Sequence, residues 1–108
     1  MKTVRYDKLV RDGIPAMIRR EGYEPQTRLL GEDEYLAALD NKLDEEHREY
    51  RESRSPEELA DMLEVLCALA AACGTSEEEL FALRSEKRAR RGGFDGRVFL
   101  IAKTGDEP

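Results

Sequence analysis

Two stretches decide the fold: Leu36-Ala-Ala-Leu-Asp-Asn-Lys-Leu-Asp-Glu-Glu-His-Arg-Glu-Tyr50 and, five residues on, Ser55-Pro-Glu-Glu-Leu-Ala-Asp-Met-Leu-Glu-Val-Leu66. In the first, Leu36, Leu39, Leu43 and Tyr50 form a heptad-like apolar seam, which predicts a long helix from Glu32 to about Ser53. In the second, Ser55 is placed as an N-cap, Pro56 at the first helical position and Glu58 at the third. Leu59, Met62, Leu63, Leu66, Leu69, Ala70 and Cys73 then give that helix a broad apolar face. Gly74 ends it, since a left-handed cap suits glycine. A tight turn at Ser53–Ser55 folds the two helices back on each other as an antiparallel hairpin.

Working outward, Asp12-Gly-Ile-Pro15 opens a short helix that runs to about Glu21 and stops at Gly22. Ser76 with Glu79 is a second capping box. It starts a helix that runs to about Arg90 and closes at Gly92-Gly93. Gln26–Leu30 and Arg97–Ala102 read as short β-strands that could pair, although two strands alone are marginal in water. The expected fold is mainly α, a helical hairpin of four-helix-bundle type with two short strands. At 108 residues the expectation is a single domain, 1–108.

Charged residues make up 39% of the chain and hydrophobic ones 40%, with a formal net charge of -6. No apolar run approaches the ~20 residues of a membrane span, and the first residues show no apolar signal core. A cytoplasmic protein with no membrane partner is expected. Cys67 and Cys73, six apart on one predicted helix, face different ways and cannot bridge each other. Two buried free thiols are expected, in keeping with a reducing compartment. With aromatics at 6% and no Trp, so small a core predicts help from an oligomer interface. The second helix points the same way, because its apolar residues cover more than the one stripe a hairpin needs. A homodimer or higher homo-oligomer built on the two long helices is the expected assembly.

Charge is segregated along the chain. Residues 1–22 carry six basic and three acidic side chains, residues 32–64 four and thirteen, and residues 84–97 six and two. Within the acidic centre, Glu46 falls on the apolar seam itself, where a carboxylate is costly unless it is paired or bound to a metal. Glu49 lies one turn on, and the next helix repeats the spacing with Glu58 and Asp61. Folding the hairpin at Ser53–Ser55 puts Glu49 level with Glu58 and Glu46 level with Asp61. The four carboxylates can then face one another as a box of hard oxygen ligands suited to Mg²⁺ or Mn²⁺. Glu45, Glu52 and Glu64 are close enough to be spare ligands. The plainer reading also stands: Glu58 serves as a cap, and Glu49, beside Arg48 and Arg51, belongs to a solvated charged face.

The same residues resemble a known family. Glu46-x-x-Glu49 followed by Glu58-x-x-Asp61 is similar to the metal motif of the MazG-like all-α NTP pyrophosphohydrolases. Tyr6-Asp-Lys-Leu-Val-Arg-Asp-Gly-Ile-Pro15, Lys42-Leu-Asp-Glu-Glu46, Glu58-Leu-Ala-Asp-Met-Leu-Glu-Val65 and Lys87-x-x-x-Arg91-Gly-Gly-Phe94 resemble, in order, four blocks of its phosphoribosyl-ATP pyrophosphohydrolase-like branch. Only residues 50–57 separate Glu49 from Glu58, a shorter spacer than is usual there, so the box would lie near the end of the hairpin. The resemblance implies hydrolysis between the α and β phosphates of an NTP, dNTP or phosphoribosyl-ATP-like substrate, giving a monophosphate and pyrophosphate. Mg²⁺ (or Mn²⁺) on Glu46, Glu49, Glu58 and Asp61 would neutralise phosphate oxygens and acidify a water. Glu45 would act with Glu46 in catalysis, as the base that orients the water. Lys8, Arg11, Lys87 and Arg91 would clamp the phosphates, with Gly92 and Gly93 offering backbone N–H groups.

Blander roles are open for several of these. Lys8 and Arg11 could instead form structural salt bridges to Asp12 or the acidic helix, and Arg88, Arg90 and Arg91 could simply complement a helix C-terminus. His47 has no partner at metal-ligand spacing and reads as exposed or half-buried. Two other functions compete: a non-enzymatic helical dimerisation or regulatory module, and a nucleic-acid binder using the basic run Arg84–Arg91. The module leaves Glu46 unexplained. Overall acidity and the lack of a binding motif argue against nucleic acid.

Overall fold

In the computed structural model, which describes residues 1–106, the chain forms four helices: α1 (Ile14–Arg20), α2 (Glu32–Ser53), α3 (Pro56–Ala72) and α4 (Glu77–Arg91). The fold is mainly α, with the α2–α3 hairpin at its centre. Helix α2 starts on an extended Gly31, with Glu32, Asp33 and Glu34 in its first turn, where the helix dipole favours negative charge. It stops at Arg54, whose left-handed backbone (φ 55°) takes the place a glycine often fills. The Arg54 N–H donates to the Tyr50 carbonyl, and its guanidinium lies over the Tyr50 ring, 5.1 Å from the centroid. Arg54 and Ser55 alone link the helices, so α3 must run straight back along α2.

The hairpin is held by few side chains. Leu39 of α2 and Val65 of α3 are the only buried apolar residues among those described, joined by the buried acid Glu46. Leu43, Tyr50 and Met62 are half-buried. Leu36, Leu59, Leu63 and Leu66 are each about 40% exposed or more, so the surplus apolar face read from α3 lies open in the single chain. Helix α4 touches α3 but not α2 and turns away from α3 by a 107° bend. Gly74, at φ 82°, supplies the left-handed step between them. The result is elongated, 70 × 32 × 24 Å with a radius of gyration of 19.3 Å, against roughly 13 Å for a compact chain of this length.

Two expectations are overturned. Neither Gln26–Leu30 nor Arg97–Ala102 forms a strand; both lack ladder bonds, Arg97 takes a left-handed backbone (φ 56°), and no strand occurs among the described residues. A run such as Val98-Phe-Leu-Ile101 has the composition of a strand buried on both faces, and the described residues form no sheet to receive it. The cysteines are free but not buried: Cys67 is half-buried, with its pKa pushed up mainly by desolvation, and Cys73 is exposed. Cys73 caps α3 at the open end of the hairpin, where nothing packs over it. Among the described residues no helix is long and apolar enough to cross a membrane alone.

Candidate metal centre

The acidic residues converge at the closed end of the hairpin. The seam carries Glu46 inward, and its residue is only 6% exposed. From α3, Glu58 and Asp61 meet it, so that one carboxylate oxygen from each of the three lies within 4.8 Å of the others. Glu49 stands outside this group of three but close enough that its charge acts on Glu46. Burial raises the Glu46 pKa above the ordinary carboxylate range; the Lys42 ammonium opposes the shift, and the Glu49 and Asp61 charges add to it.

Local structure explains why Glu58 is available. Ser55 caps α3 by accepting from the Glu58 N–H at 3.4 Å. In a full capping box the Glu carboxylate would return to the Ser N–H. Here the Ser55 N–H donates instead to Ser53 Oγ at 3.2 Å, and the Glu58 carboxylate turns to the acidic group. Two buried oxygens, Glu46 Oε2 and Glu58 Oε2, have no hydrogen-bond donor among the described residues. A buried carboxylate oxygen without a donor is costly, and two of them facing a third acid add mutual repulsion. An all-oxygen donor set with open lone pairs is what a hard divalent cation requires, so these residues fit Mg²⁺ or Mn²⁺.

Cations ring the acids. Lys42, one turn before Glu46, contacts Glu45 Oε2 and Glu46 Oε1, both at 3.3 Å. From the N-terminal segment, Lys8 reaches Glu45 Oε1 at 3.0 Å and Arg11 reaches Asp61 Oδ1 at 2.7 Å. The hydrogen bond to Glu45 raises the Lys8 pKa, and the Lys8 bond, despite desolvation, holds Glu45 below the ordinary range. Residues 1–13, which carry no helix, are thus tied across the acidic hairpin. Beside them opens a hollow of about 320 Å³ lined by Lys8, Leu9, Asn41, Lys42, Glu45 and Arg48, among others.

Of the residues singled out from sequence, Glu46, Glu58, Asp61, Glu45, Lys8 and Arg11 are therefore neighbours at one end of the hairpin, with Glu49 at its edge. Lys87 and Arg91 are exposed on α4, which has no contact with α2, and a single chain does not bring them to the acids. Gly93 packs against Arg88, since a Cβ there would lie 2.7 Å from its Nη1, so the double-glycine turn serves a close approach by the chain's own arginine. His47 is exposed. Lys42 and Arg48 were not assigned roles from sequence. The signal for Lys42 was present: it lies three and four residues before Glu45 and Glu46, one helical turn away.

No family model matches the chain, and no solved structure matches it significantly. Over 44 residues, 41% of the chain, it is 59% identical to an uncharacterized protein of Mycolicibacterium smegmatis (strain ATCC 700084 / mc(2)155). That match spans 45% of the relative's length, so less than half of each protein is aligned.

Proposed function

We propose that the chain is a divalent-cation-dependent nucleotide pyrophosphohydrolase that cleaves the α–β phosphoanhydride of an NTP, dNTP or phosphoribosyl-ATP-like substrate. The observation that carries this reading is the pair of buried, donorless oxygens on Glu46 and Glu58, gathered with Asp61 within 4.8 Å. Glu46, Glu58 and Asp61 would hold Mg²⁺ or Mn²⁺, with Glu49 the nearest further carboxylate. When bound, such a cation supplies charge neutralisation at phosphate oxygens and lowers the pKa of a neighbouring water. A helical dimerisation module gives no reason for these acids to converge.

The chain's own residues would do the rest. Lys8, Lys42 and Arg48 line one hollow and present three positive groups to a polyphosphate. Arg11, already on Asp61, reaches the other side of the acidic group. Glu45 stays anionic between its two lysines, the state a water-orienting base needs, and it fixes the Lys8 and Lys42 ammonium groups meanwhile. The substrate is a nucleotide, and a second copy of the chain would cover the open apolar face of the α2–α3 hairpin. The acidic hairpin disfavours nucleic acid.

The test is turnover of NTPs and dNTPs in ¹⁸O-labelled water with Mg²⁺. The reading expects label in the monophosphate and release of unlabelled pyrophosphate. Label in inorganic phosphate alone, with a diphosphate as co-product, contradicts it.

A further inference from the structure

After α4 the chain runs out as an arm, Gly92–Ala102, which meets α4 through Arg88 at Gly93 and Asp95 but leaves its large apolar side chains uncovered. Phe94, Val98, Phe99, Leu100 and Ile101 are 96%, 90%, 88%, 78% and 89% exposed. Five large apolar side chains this open on one short segment far exceed the scattered single residues normal on a monomer. Four of them are consecutive, so they point to more than one side of the segment, and a surface that takes the arm covers part of them. The arm itself carries one acid, Asp95, and one base, Arg97, while the α4 residues just before it, 84–91, carry five basic side chains and one acidic.

A matching surface lies on the same chain, out of the arm's packing range. The hairpin is acidic, thirteen negative against four positive side chains over residues 32–64, and Leu59, Leu63 and Leu66 leave an apolar stripe along α3 that is 41–48% exposed. The arm's apolar content matches that stripe, and the basic end of α4 beside the arm is opposite in charge to the acidic hairpin. The area agrees. The chain exposes 10136 Å², about 4,000 Å² more than a compact monomer of its mass. That surplus exceeds the roughly 1,000–2,500 Å² that each partner buries in an obligate homodimer.

We infer that the arm Gly92–Ala102 of one copy docks on the Leu59–Leu63–Leu66 face of a second copy, the exchange being mutual in a closed dimer. The inference rests on the homo-oligomer within the functional reading but not on turnover. Isologous exchange satisfies both copies at once and leaves no arm free. It also gives residues 97–102 the covered environment that their strand-like composition calls for.

Disulfide trapping between mixed chains tests this. In a Cys67→Ser, Cys73→Ser background, one chain carries Leu63→Cys and the other Phe99→Cys; both sites are exposed, so each substitution is compatible with the fold. On oxidation, a disulfide-linked species at twice the 12.3 kDa chain mass containing one chain of each kind is expected. Sedimentation of the reduced protein should give twice the chain mass, falling to the single-chain mass in Phe99→Ser, Ile101→Ser, with an unchanged helical circular dichroism signal. A monomeric starting protein overturns the inference, as do Leu63→Cys chains linking only to one another or an unaltered mass in the double serine variant. Because neither readout uses a nucleotide, a trapped dimer without pyrophosphate release would separate the docking from the enzyme.

Discussion

Helices α3 and α4 open on the same four-residue phrase, Ser-x-x-Glu, and resolve it differently. At α4 the box closes: the Glu79 N–H donates to Ser76 Oγ at 3.1 Å, and the Ser76 N–H donates to Glu79 Oε1 at 3.2 Å. At α3 only the first half forms, and the second carboxylate leaves the cap for Glu46 and Asp61. Exposed Glu79 gains a backbone N–H at no cost in burial. Glu58 gives up the same N–H and ends with one buried oxygen that has no donor. On the proposed reading, Glu58 forgoes a local hydrogen bond because a cation would be held by the cluster it joins.

Breaking the cluster should have the largest effect. Glu46→Gln and Asp61→Asn keep shape and remove charge, and each should lower pyrophosphate release by ~10³-fold or more, on the scale of losing a principal electrostatic group from a site. Steady-state turnover checks this. Both variants should remain folded, and the metal-free form should be as stable as wild type or more so, because repulsion among the acids is relieved.

Removing a cation sharpens the same contrast from the other side. Lys42→Met deletes the ammonium between Glu45 and Glu46, whose side chains are 23% and 8% exposed. It should cost about 1–3 kcal/mol of stability, the range for stranding a buried polar group, read as a lower urea midpoint. The matching change at the closed cap is smaller. Ser76→Ala should cost about 1 kcal/mol, by the same measurement.

The smallest effect is one of pH. The Ser76 N–H and hydroxyl hold the Glu79 carboxyl below its ordinary value of 4.5. A depressed folded pKa stabilises the native state above the unfolded value, and that contribution is lost as pH falls through the folded one. Glu79→Gln should therefore match wild type in stability below this window and fall slightly short of it above 4.5. Paired thermal melts across that range would show it.

The sequence made the hairpin legible because two helical periods, a proline-marked start and a serine cap all agreed with one turn. Glu46 was legible for the same reason: a strict seam makes one acid conspicuous. The split fate of the two capping boxes was not, since the choice between Ser55 and the acidic group is made by tertiary packing, which a local motif does not record. Ion pairs from Lys8 and Arg11 to the acidic hairpin were among the readings the charge layout left open, but their particular partners, Glu45 and Asp61, lie dozens of residues away and had no periodicity to announce them. The strands expected at 26–30 and 97–102 failed for a related reason. Val98-Phe-Leu-Ile101 states a need for cover without saying which surface supplies it.

Calorimetric titration of Mg²⁺ or Mn²⁺ into metal-free protein tests the central claim most directly, with Glu58→Gln set beside Glu79→Gln. These variants make the same chemical change at the same helical position in two helices. The account predicts saturable cation binding in the wild type and in Glu79→Gln, and its loss in Glu58→Gln. Equal binding in all three proteins, or none in the wild type, would contradict it.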